Sequence, residues 1–135
     1  MTNFKLNLKF NSAFVFVLFI FLTVAVAVSA APPTNDGFAN AETVSGMQVH
    51  ITRTNAEATK EQGEPNHAFN VGGKSVWFKW IAPMSRNVMI TTNRSANNFD
   101  TLLNVYSGTS MSSLVSEYYN NNIDAATNSR SSVIL

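Results

Sequence analysis

Hydrophobic positions along the chain fall into two regimes. Residues 13–28 are apolar without interruption except for Thr23, whereas beyond residue 35 the apolar residues come in short alternating runs. Val76, Phe78 and Trp80 alternate with Trp77, Lys79 and Ile81, a period of two that predicts a strand, and Pro83 stops it. In such a strand Trp77 and Trp80 point to opposite faces, so one indole enters the core and the other sits nearer solvent. Residues 88–92 form a short β-branched segment with Met89 inside it. In residues 101–106, Leu103 and Val105 share one face, and Leu102 and Tyr106 the other. Residues 114–119 and 132–135 complete the predicted strands. Amide- and serine-rich turns separate them at 70–73, 85–87, 93–98, 107–113 and 120–122. Several short strands, polar turns and no amphipathic helix predict an all-β fold, an antiparallel β-sandwich. A single helical turn is expected within 38–44.

The first regime is a leader. Lys5 and Lys9 make a basic start, and Val28-Ser29-Ala30 places small residues where a signal peptidase reads, so cleavage is expected after Ala30. Cutting one residue later would put Pro32 directly after the scissile bond. The apolar run of 16 residues is shorter than the roughly 20 that span a bilayer. The rival is an uncleaved anchor and a membrane-attached surface protein. Residues 31–135 are then one exported domain, and localisation is secreted, periplasmic or cell-surface. With no cysteine, its fold holds without disulfides.

Composition matters once the leader is set aside. Six of the ten phenylalanines lie in it, and removing Lys5 and Lys9 leaves seven basic against eight acidic residues, a formal charge of −1. The apparent basicity therefore belongs to the precursor. No basic patch interleaved with aromatics is left to recognise nucleic acid.

Chemistry concentrates in the stretch EPNHAFNVGGKSVWFKW, residues 64–80. Read for function, Glu64 and His67 are an acid/base pair of a small extracellular hydrolase, or metal ligands. Read for structure, Glu64-Pro65-Asn66-His67 is a loop with a solvated histidine, and Gly72-Gly73 sets up the strand. The structural reading is preferred. No Gly-x-Ser-x-Gly or His-Glu-x-x-His pattern occurs, although His50 or His67 among many serines leaves a triad combinatorially open. Calcium needs only oxygen ligands, and Asp36, Asp100, Asp124 and Glu64 are its candidate ligands, none at EF-hand spacing. Asn and Asp also close turns on their own backbone, which is the plainer role for these positions. For a polysaccharide or an extracellular protein partner, Trp77, Tyr106, Tyr118 and Tyr119 are the candidate contact aromatics. Asn93-Arg94-Ser95 matches a glycosylation acceptor but reads as a turn.

Four ordered blocks carry a resemblance: NDGFANA at 35–41, NAEATKEQGEPNH at 55–67, GGKSVWFKWIAP at 72–83 and FDTLLNVYSG at 99–108. Together they resemble the bacterial pre-peptidase C-terminal domain over essentially the whole exported chain. The resemblance implies a compact β-sandwich of jelly-roll type and a non-catalytic accessory or binding module. It does not imply a protease, because the domain is named for what it accompanies. Members continue through a further Gly-x-x-Tyr-x-Ile strand, whereas this chain reaches Leu135, so the expectation is a sandwich lacking its last strand or strands. Marginal stability follows, with the remainder of a longer polypeptide as one candidate partner.

Overall fold

The computed structural model describes residues 29–94 and 99–135; the apolar leader through residue 28, and residues 95–98 of the 93–98 turn, lie outside the described residues. The chain is built mainly of strands. A 3-10 turn, Phe38–Asn40, precedes β1 (Glu42–Val44), followed by β2 (Phe78–Trp80), β3 (Met89–Thr91), β4 (Leu103–Ser107), a second 3-10 turn at Met111–Ser113, β5 (Val115–Asn120) and β6 (Ser132–Ile134). Among the described residues no helix is long and apolar enough to cross a membrane.

The period-two segments become β2 to β6; β2, β3 and β6 are shorter than expected, while β4 and β5 start later and run one residue further, to Ser107 and Asn120. The expected helical turn closes at Asn40, and the residues after it form β1 instead. The strands pair as three two-stranded sheets, β1 with β2, β3 with β6 and β4 with β5. This corrects the expectation of uniformly antiparallel pairing. β1 and β2 run parallel, with Glu42 opposite Phe78 and Val44 opposite Trp80. Parallel neighbours need a long crossover, and the excursion through residues 45–77 supplies one.

The other two sheets are antiparallel. In β3–β6, Ile90 lies opposite Val133, and the pairing is carried outward by Thr92 N–H to Ser131 O at 2.9 Å and Leu135 N–H to Val88 O at 2.9 Å. The β4–β5 register shifts between Val105 and Tyr106, a bulge that re-aims the Tyr106 side chain. Between these strands Gly108 has φ of +126°, and a Cβ there would lie 2.6 Å from Ser113 O, so only glycine fits the turn. Ser110 and Ser113 cap the following 3-10 turn reciprocally.

The core is small and half polar. Ala58, Ala68, Trp77 and Val133 are its buried apolar residues, and Asn35, Glu64, Thr101 and Ser131 are buried with them. Buried polar groups must be hydrogen-bonded to be tolerated. Ser131, fully buried, accepts from Thr101 Oγ1 at 3.2 Å, and its Oγ faces both Thr101 O and Asn121 O. One hydroxyl proton serves only one of those carbonyls at a time. Met89 and Ile134, directly opposite each other across β3–β6, are both 65% exposed, so one face of that sheet carries uncovered apolar surface.

Candidate functional site

The Glu64–His67 loop meets β4 through a continuous polar spine. His67 Nε2 lies 2.6 Å from Glu64 Oε1, and His67 Nδ1 lies 2.8 Å from the Tyr106 hydroxyl. Glu64 Oε2 accepts from Glu61 N–H at 2.9 Å, and Glu61 Oε2 in turn accepts from Phe38 N–H at 2.6 Å. The spine thus runs from the first 3-10 turn through the loop to β4. The Glu64 side chain is wholly buried and that of His67 only 14% exposed, which corrects the expectation of a solvated histidine.

Aromatic rings close over the spine. Trp77 meets Phe38 and His67 edge-on at 5.2 Å and 5.6 Å between ring centroids, and Tyr106 in a tilted contact at 5.9 Å. Burial raises the Tyr106 pKa, with the nearby Glu64 charge as the second cause. Both ring nitrogens of His67 thus have a partner, Nε2 the Glu64 carboxylate and Nδ1 the Tyr106 hydroxyl. Every side-chain polar atom of Glu64 and His67 is therefore engaged within the fold. Among the described residues no serine hydroxyl is joined to His67, and the hydroxyl that meets it belongs to a tyrosine that is itself packed.

Two of the four candidate contact aromatics are thereby reassigned. Trp77 is buried at 8% exposure, the indole that enters the core, while Trp80 is half-buried and donates from Nε1 to Gly46 O at 3.1 Å. Tyr106 belongs to the spine. Tyr118 and Tyr119 are exposed, but as neighbours on β5 they project to opposite faces and do not form one platform.

The partner of Tyr119 is a residue the pattern reading missed. Phe69, 80% exposed, meets Tyr119 edge-on at 4.8 Å. Ala68 and Phe69 both have positive φ, +45° and +63°, a conformation that costs a bulky side chain free energy. Hydrogen bonds hold it there: Ala68 N–H to Asn104 Oδ1 at 2.9 Å, Asn70 N–H to His67 O at 2.8 Å and Asn70 Nδ2 to Ala68 O at 2.8 Å. His67 of the spine and Phe69 of the aromatic pair are separated only by Ala68, so anchoring His67 inside also fixes Phe69 outside. An aromatic in an amide- and glycine-rich turn was the available signal.

The four carboxylates offered to calcium are dispersed. Asp36 Oδ1 and Oδ2 accept from Thr59 N–H at 2.6 Å and Thr59 Oγ1 at 2.9 Å. Asp124 Oδ1 accepts from Ala126 N–H at 2.9 Å and from Thr127 N–H at 3.3 Å, closing a local turn. Glu64 is inside the spine and Asp100 is exposed. Among the described residues no three His, Cys, Asp or Glu side chains come together as a metal-binding group. Asp124 fills the local turn role weighed for it, whereas the Asp36 carboxylate ties the entry segment to Thr59, 23 residues further along the chain. No family model, curated protein or solved structure matches the chain.

Proposed function

We propose that the chain is an exported, non-catalytic binding module of the pre-peptidase C-terminal type, a jelly-roll β-sandwich domain whose ligand is a polysaccharide. The single observation that carries this reading is the Phe69–Tyr119 pair, two exposed aromatic rings, one held by a strained, hydrogen-bonded turn and the other by β5. Solvent-facing aromatic rings on rigid backbone offer apolar faces to the C–H surface of a sugar ring at little cost in conformational entropy. Strain of this kind is retained where a surface residue must be held in one place. The engaged state of Glu64 and His67 supports an accessory rather than a hydrolytic role.

The test is retention of the protein on insoluble polysaccharides, with β-1,4-linked glucan and purified peptidoglycan as probes. Phe69→Ser and Tyr119→Ser should each weaken retention by about tenfold, the scale of a central contact residue, with folding intact. Retention unchanged in both variants would overturn the reading. Turnover of a polysaccharide or peptide that disappears in His67→Ala would replace it with the hydrolase.

A further inference from the structure

The free edge of β1 borders a groove unrelated to the aromatic pair. In a parallel ladder alternate residues send their main-chain groups to opposite edges. Glu42 N–H donates to Trp77 O at 3.0 Å, so Glu42 and Val44 face β2, and the N–H and C=O of Thr43 face away from it. Residues 49–53 form the opposite wall and belong to no strand. Among the described residues, neither Thr43 nor 49–53 makes a main-chain to main-chain hydrogen bond outside the β1–β2 ladder.

Between these walls lies an open groove of about 280 Å³. Val44, Val49 and Ile51 contribute apolar lining, and Thr43 the free main-chain groups. Arg53 reaches across to Glu42 in a two-point ion pair, Nε to Oε2 at 2.7 Å and Nη2 to Oε1 at 2.6 Å. That pair satisfies its own charges, so the groove does not call for an ionic ligand. His50 adds an imidazole to the lining, but no Phe, Tyr or Trp lies among the lining residues to stack on a sugar face. What both walls lack is main-chain partners, and an edge with unpaired N–H and C=O groups is a template for another strand.

We propose that this groove seats an extended, uncharged peptide segment of another polypeptide as an added strand on β1. Main-chain hydrogen bonds to Thr43 hold the segment, and its alternate side chains, β-branched and apolar, lie against Val44, Val49 and Ile51. The volume lies just below the roughly 300 Å³ at which small-ligand sites begin, which suits a few residues of strand rather than a folded surface.

The experiment is amide hydrogen exchange on the full protein with acetylated, amidated Val-Thr-Val-Thr-Val as probe, alongside the same peptide N-methylated at every residue, which blocks both of its edges. At millimolar peptide the Thr43 amide should slow by about tenfold or more, and the N-methylated peptide should leave it unchanged. Thr43→Pro removes a donor that β2 does not use, so it should abolish the protection of the neighbouring Ser45 amide by peptide. If that variant does not fold, the N-methylated peptide still decides. A Thr43 amide already slow without peptide would mean that 49–53 pairs with β1 directly, and overturns the proposal. Equal protection by both peptides, or none by either, also overturns it. Phe69→Ser should leave the peptide effect intact, which separates this groove from the polysaccharide surface.

Discussion

Asn35 and Trp77 are joined at two points: the Trp77 N–H donates to Asn35 O at 2.8 Å, and Asn35 Nδ2 donates to Trp77 O at 3.1 Å. Asn35 is 2% exposed and Trp77 is the largest side chain of the core, so this clasp fastens the start of the domain to its centre. Trp77 O also receives Glu42 N–H, which places β1 beside β2. The Asn-Asp-Gly turn that looks like a generic breaker in sequence thus contributes the residue that organises the parallel pair.

Asn35→Ala removes the side-chain half of the clasp at a buried position and should cost about 1–3 kcal/mol in urea unfolding. Asn35→Asp should cost more, because it sets a carboxylate oxygen against the Trp77 carbonyl where an amide N–H had donated. A smaller loss in the aspartate variant would show that the clasp is made by the backbone alone.

The spine predicts non-additive losses. His67→Ala leaves the fully buried Glu64 carboxylate without its 2.6 Å partner, and breaking such a pair from one side costs about 3–5 kcal/mol. Glu64→Ala alone should also destabilise. The double variant should cost clearly less than the two single losses combined, because the second truncation removes the stranded charge. A denaturant double-mutant cycle measures this, and simple additivity would mean that the two groups are not coupled in solution.

Alkaline titration should report on Tyr106. Its pKa in the fold is raised from the ordinary 10.0, by burial first and the Glu64 charge second. A raised pKa means that the folded state holds the proton more tightly, so the stabilisation is complete below the unfolded value near 10 and is lost as pH climbs through the folded one. Tyr106→Phe should lower stability at neutral pH through loss of the 2.8 Å bond to His67, yet show a shallower decline above about pH 10. Thermal melts of both proteins between pH 8 and 11, read as about one point per pH unit, decide it; parallel alkaline limbs would place the titration elsewhere.

Much of the fold is legible in the sequence because period-two alternation reports local burial. The centres of β2 to β6 follow from residues such as Val76 to Trp80 and Leu103 to Tyr106, whose spacing already separates two faces. β1 does not, since Glu42-Thr43-Val44 is too short and polar to show a period, and its parallel pairing depends on where residue 78 returns in space. The fate of His67 is equally non-local. A histidine between Asn66 and Ala68 looks solvated until Tyr106, 39 residues away, arrives beneath it. The same holds for Phe69, whose partner on β5 lies far along the chain.

Phe69 offers a test that separates stability from binding. Its φ of +63° is one that glycine adopts freely and that costs an L side chain about 1–2 kcal/mol. Phe69→Gly and Phe69→Ala both delete the exposed ring, but only glycine relieves the backbone. Phe69→Gly should therefore be the more stable of the two by about 1 kcal/mol in urea unfolding, after the entropy that glycine adds to the unfolded chain is set against the relief. Both should lose retention on polysaccharide to the same extent, because both lack the ring that meets Tyr119 at 4.8 Å. Equal stabilities would mean that the turn relaxes out of the left-handed region in solution, and the ring would then not be held where a ligand needs it. A glycine variant that is more stable and binds less would show that the strain at residue 69 is kept for the aromatic surface it presents.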